Sequence, residues 1–176
     1  MIIDEVRLKK LLVDVCEIAP ITGQGSAVRC GTTTAANIVI TLKQLSAEIQ
    51  RMLNSTGKRD LIVKPTTGNG YLPRVLWVAI MKSKGSVSSQ NALVICFGKS
   101  GNGLVIGVMP PPGFGSVVVH RSQHKKEANF IDIDGASAPA RYNDRFKVFE
   151  EFPVATLDTK KFVKFLLTHV DKISHS

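Results

Sequence analysis

From Asp4 to Ile18 the apolar residues Leu8, Leu11, Leu12 and Val15 recur at steps of three and four, which places them on one face of a helix. Asp4 stands where an N-terminal cap is expected and Pro20 lies beyond the far end, so the pattern predicts an amphipathic helix of about four turns. A stretch rich in Gly, Ser and Thr, from Thr22 to Thr33, reads as a loop. Ile38, Leu42, Leu45, Ile49 and Met52 then alternate steps of four and three, predicting a second, longer helix that ends near Gly57.

The period changes after Gly57. Leu61 to Lys64, Val75 to Met81, Asn91 to Phe97 and Leu104 to Met109 are short runs rich in Val, Ile and Leu, separated by Gly, Ser, Lys and Asn clusters. They predict four strands with hairpin-like connections. Beyond Met109 the pattern is irregular, with short strands possible at Val117 to Val119 and Asn129 to Ile133 and a longer one from Arg145 to Val154. Asp158 caps a last helix that carries Phe162, Phe165, Leu166, Val170 and Ile173 on one side. The order predicts an α+β fold in one domain over residues 1–176: a helical N-terminal region over 1–57, a sheet-rich core over 58–155 and a closing helix over 158–173. Consecutive strands joined by short turns should pair mostly antiparallel, as a curved sheet or open barrel with the helices packed at its side.

Charge and cysteine content narrow the setting. The chain carries 23 Lys and Arg against 14 Asp and Glu, a net charge of +9, which favours phosphate backbones or anionic surfaces and is silent about fold. Cys16, Cys30 and Cys96 are odd in number and widely spaced, without a CxxC or Cys/His pattern, so a reducing, cytoplasmic location without a disulfide framework is expected. No apolar run approaches the roughly 18 residues of a membrane span, and the N-terminus does not read as an export signal.

The candidate chemistry is mostly negative. FGKSGNG, Phe97 to Gly103, has Gly98, Lys99 and Ser100 in phosphate-loop order, yet Leu93 stands where that loop needs its first glycine, so a hairpin turn is expected. His120 and His124 have no third metal ligand nearby, and no metal or other cofactor is expected. Asp132 and Asp134, in IDIDG, alternate as paired carboxylates of a metal-dependent nuclease would, but no Glu-x-Lys element follows. No nucleophile can be matched to a base, so a non-catalytic protein is expected.

The basic residues are better organised. Lys58, Arg59, Lys64, Arg74, Lys82 and Lys84 fall within or beside LIVKPTTGNGYLPRVLWVAIM, which holds two glycines two apart and the only tryptophan. A second cluster, His120, Arg121, Lys125 and Lys126, lies in a loop near Phe114. Basic loops with aromatics between them are what a nucleic-acid surface requires. An RNA or single-strand module, stacking bases on Tyr71, Trp77 and Phe114, meets the same requirement.

The ordered segments LIVK, TTGNGY, RVLWVAI, QNALVICF and GLVIGVM, followed by APARYNDRFKVFEEFPVATLDTKKFVKFLLTHVDKI, resemble the amino-terminal specificity domain of McrB, the MrcB-like family of modification-dependent restriction systems. The resemblance covers roughly Leu61 to Ile173. It implies a domain that binds duplex DNA and turns a modified base, such as 5-methylcytosine, into an aromatic pocket, with a nucleotide-hydrolysing motor and a nuclease as partners and no membrane. Trp77, Phe97 and Tyr142 would then line the pocket, while Gly68, Asn69, Gly70 and Tyr71 would form a turn entering the duplex. Two positions depart from the family pattern: Leu76 stands in place of a proline, and Asn69 in place of a large side chain.

Overall fold

A computed structural model describes residues 3–87, 89–111, 118–136 and 141–174. Three helices, α1 (Glu5–Gly23), α2 (Thr33–Ser55) and α3 (Thr159–Ser174), pack on an open sheet of five strands: β1 (Leu61–Pro65), β2 (Trp77–Lys82), β3 (Ala92–Phe97), β4 (Gly103–Met109) and β5 (Val148–Pro153). The strands lie in sequence order, each antiparallel to the next, and the sheet does not close. The fold is therefore α+β, as the change of hydrophobic period predicts.

Each helix begins at a side-chain cap. The Asp4 carboxylate accepts the Arg7 N–H at 2.9 Å, the Thr32 hydroxyl accepts the Ala35 N–H at 3.2 Å, and Asp158 accepts the Lys161 N–H at 3.0 Å. Helix α1 runs past Pro20, which the pattern placed outside it. A proline removes the N–H that would bond the carbonyl four residues earlier. The β3–β4 hairpin packs closely on that carbonyl, of Cys16, since a Cβ at Gly101 would lie 2.5 Å from the oxygen. FGKSGNG is thus the expected hairpin, with Gly101 at φ +74° and Lys99 paired to Asp132 at 2.8 Å.

The sheet has two buried faces. Toward the helices, Val78, Ile80, Leu93, Ile95, Phe97, Leu104 and Ile106 meet the apolar faces of α1, α2 and α3. On the other face, Ala79, Met81, Val94, Cys96 and Val105 lie under Ile131, Ile133 and Phe146 of the connection from β4 to β5. Strands β3 and β4 are buried throughout, which explains why they read as continuous apolar runs rather than as alternation. Asn129 to Ile133 forms no strand, and of Val117 to Val119 the two described residues form none; Val119 donates a single backbone bond to the Phe146 carbonyl at 2.8 Å.

Among its described residues that covering layer has little regular structure, and Arg121 holds it together. Expected on the surface as a phosphate contact, Arg121 is 1% exposed. Its guanidinium donates to Glu151 at 2.7 and 2.9 Å, to Asn143 Oδ1 at 2.6 Å and to the Ile131 carbonyl at 2.9 Å. Phe130 and Phe149 lie 5.0 and 5.4 Å from it, ring centroid to charge. With its charge and donors committed to the fold, Arg121 is removed from the phosphate-contact set.

The two aspartates also serve the fold. Asp132 accepts from Asn143 Nδ2 at 2.9 Å and from the Asp134 N–H at 3.1 Å, while Asp134 accepts from the Asn143 N–H at 2.9 Å and pairs with Lys125 at 3.0 Å. Burial alone would raise the Asp132 pKa, but hydrogen bonds from Lys99, the Asp134 N–H and Asn143 outweigh it and hold the carboxyl below its usual range. Asp144 is likewise lowered: burial opposes, and the Ser122 hydroxyl and N–H prevail. Carboxyls depressed on folding stabilise the native state above their unfolded pKa, and that stabilisation is lost as the pH falls through the folded value. Thermal stability is expected to drop on acidification from about pH 5 to pH 2. A D132N/D144N variant should be less stable at neutral pH and vary less over that range, and melting curves across a pH series check this.

Candidate nucleic-acid interface

The covering layer packs on Val94, Cys96 and Val105 in the middle of the sheet, and a cleft opens beside it over β1 and β2. Its volume is about 540 Å³, and Lys64, Gly68, Asn69, Tyr71, Trp77 and Met81 are among the residues that line it. Side chains alternate across a strand. Trp77, Ala79 and Met81 consequently share the face turned from the helices, and the register Lys64↔Ala79 brings Lys64 to the same face.

One wall is the turn between β1 and β2. Gly68 and Gly70 adopt φ of +70° and +77°, conformations that an L side chain resists. At Gly68 a Cβ would also lie 2.4 Å from the Tyr71 carbonyl oxygen. The turn is anchored from two sides. The Thr66 N–H donates to the Trp77 carbonyl at 2.9 Å, joining its start to β2. On its outer side the α1–α2 loop runs antiparallel to it: the Cys30 N–H bonds the Gly70 carbonyl at 2.9 Å, the Leu72 N–H bonds the Val28 carbonyl at 2.9 Å, and Arg29 is bridged to Tyr71. Tyr71 is left 56% exposed at the cleft.

The opposite aromatic surface is Trp77, half-buried where β2 begins. Trp77 and Tyr142 both pack against the buried cluster that contains Ala79, Cys96 and Phe146. Burial and the neighbouring Cys96 push the Tyr142 phenol up, against the opposing effects of Arg145 and the indole N–H. Arg145 stands 5.8 Å from the Tyr142 ring centroid.

Two expected pocket residues are therefore reassigned. Phe97 follows Cys96, the partner of Trp77 across the β2–β3 ladder, so strand parity turns it to the helical core, where it is fully buried. Tyr142 is half-buried against the covering-layer cluster and is not among the residues that line the cleft, whose second aromatic surface is Tyr71. Leu76, the departure from the family proline, is buried in the helical core, and its carbonyl accepts the Phe97 N–H at 2.9 Å.

The expected phosphate contacts divide by place. Lys64 lines the cleft, Arg74 is exposed just beyond the turn, and Arg59, Lys82 and Lys84 lie at the other end of β1 and β2, where the Ser83 N–H bonds the Asp60 carbonyl. Lys58 is paired with Asp171 of α3. His120, Lys125 and Lys126 are exposed on the covering layer, with Lys125 paired to Asp134. Phe114 lies outside the described residues.

Arg29 is the basic residue that sequence reasoning passed over. Its signal was the alternation Val28, Arg29, Cys30, apolar, polar and apolar, hidden in a stretch whose composition reads as loop. No family model matches this chain, and no curated protein matches it. Among the described residues no helix is long and apolar enough to cross a membrane.

Proposed function

We propose that this protein binds duplex DNA and receives a modified base, methylated cytosine in the first instance, in the cleft between Trp77 and Tyr71. It would act as the non-catalytic reading module of a cytoplasmic modification-dependent restriction system whose motor and nuclease lie on other domains or subunits. The observation that carries the reading is the assembly of a glycine-dependent turn, the sole tryptophan, an exposed tyrosine and Lys64 around one cleft at the edge of the sheet. Extruding a base costs a few kcal/mol of pairing and stacking, which aromatic faces can recover while testing the base for an added group. The cations along β1 and the turn supply phosphate contacts beside the cleft. The strand and turn order that resembles the McrB amino-terminal domain supports the same reading. A nuclease reading fits less well, because Asp132 and Asp134 are spent on Lys99, Asn143 and Lys125.

The test is binding to matched duplexes with and without 5-methylcytosine, 5-hydroxymethylcytosine or N6-methyladenine, across a salt series, beside RNA and single-stranded DNA of equal length. Tighter binding to one modified duplex is the expected result. Equal affinity for plain and modified duplexes overturns base reading, and a preference for unpaired strands assigns Tyr71 and Trp77 to single-strand stacking instead.

A further inference from the structure

The α1–α2 loop brings a cation to the turn that no reading of the cleft alone requires. Arg29 and Tyr71 are directly bridged residues of two antiparallel segments, and side chains so paired stand about 5 Å apart on one face. Both are exposed. They form a ridge with a cleft on each side: the Trp77 cleft, lined by Tyr71, and a second of about 520 Å³, lined by Arg29 together with Ile21, Gly25, Ala27, Val28 and Thr32. The main-chain bonds from Cys30 to Gly70 and from Leu72 to Val28 hold the ridge, so its position does not depend on what the arginine touches. Among the described residues the Arg29 side chain has no acidic partner, in contrast to Lys58, Arg121 and Lys125.

We infer that Arg29 is a nucleic-acid phosphate contact, and that the ridge it forms with Tyr71 separates the base cleft from a track for the sugar–phosphate backbone across the α1–α2 loop. The inference rests on the proposed function for the occupant of the Trp77 cleft. For itself it needs only a polyanionic strand crossing the ridge. Gly25, Ser26 and Ala27 are small, exposed residues that let such a backbone approach the guanidinium closely. A single phosphate contact contributes about 0.9 to the slope of log K against log salt on duplex DNA.

The experiment measures affinity of the whole chain for plain and modified duplexes over a salt series, for wild type, R29A, R29K and K43A. Lys43 is exposed on α2 and matches the charge removed. R29A is expected to weaken binding to both duplexes by the same factor and to reduce the salt slope by about one. R29K should keep the slope, and K43A should leave slope and affinity at wild-type values. A wild-type slope in R29A, or an equal loss in K43A, overturns the inference and leaves base reading standing. Equal wild-type affinity for plain and modified duplexes overturns base reading, while the R29A slope on plain duplex still decides the role of Arg29. Melting temperature, which main-chain anchoring of the ridge should leave unchanged in R29A, confirms that the variant is folded.

Discussion

Replacing Arg121 with alanine is expected to lower unfolding free energy by roughly 2 to 5 kcal/mol, because it leaves buried acceptors without donors and opens a gap in the layer. Glu151 is partly exposed and regains water, so most of the loss falls elsewhere. The Ile131 carbonyl and the buried Asn143 amide lose charge-assisted donors, and a gap opens between Phe130 and Phe149. Arg121→Met fills much of that gap without donating, and Arg121→Lys keeps the charge without the planar fork, so both should fall between alanine and wild type. Denaturant titration followed by fluorescence checks this, because the sole tryptophan, Trp77, packs against the same buried cluster as Tyr142 and Phe146 of that layer. An unchanged midpoint in R121A would remove Arg121 from its place at the centre of the layer.

The second large effect concerns binding. Trp77→Ala should weaken binding to the preferred modified duplex by roughly 5- to 150-fold, since stacking on an aromatic face is worth about 1 to 3 kcal/mol per base. Its effect on plain duplex should be much smaller, because an unextruded base never reaches the indole. Trp77 also packs on the sheet, so loss of binding could come from misfolding; Tyr71→Ala separates the two. Tyr71 is more than half exposed, and its removal should leave melting unchanged while reducing preference for the modified duplex. Equal losses on both duplexes in both variants would show that the aromatics contribute general affinity and not base reading.

Much of the fold was legible because it rests on short-range rules. Caps at Asp4 and Asp158, the helical spacing of Ile38 to Met52, and apolar runs closed by Gly-rich turns all report neighbours within a few residues. The β3–β4 hairpin could be recognised from the failed spacing of FGKSGNG. Pro20 shows the limit: a proline stops a helix by default, yet α1 runs on to Gly23, where only the tertiary structure places its end.

The candidate site was partly legible for the same reason. Gly68, Gly70, Tyr71, Trp77 and Lys64 lie within fourteen residues of one another, and the structure gathers Gly68, Tyr71, Trp77 and Lys64 at one cleft. Phe97 and Arg121 were misjudged, and Arg29 was passed over, because their placement depends on partners far along the chain. The inward or outward sense of Phe97 follows from the register of β2 with β3. The burial of Arg121 follows from Glu151 and Asn143, and the position of Arg29 from its pairing with Tyr71.

By itself, then, the sequence determined the element order, the α+β class, the excess of positive charge and the demand for glycine in the turn before Trp77, since each follows from local periodicity, composition or backbone freedom. Tertiary structure alone decided which charges are spent inside the fold, which edge of the sheet carries the cleft and which two loops meet at Tyr71. Those outcomes are set by strand register and long-range pairing, and no spacing along the chain encodes them.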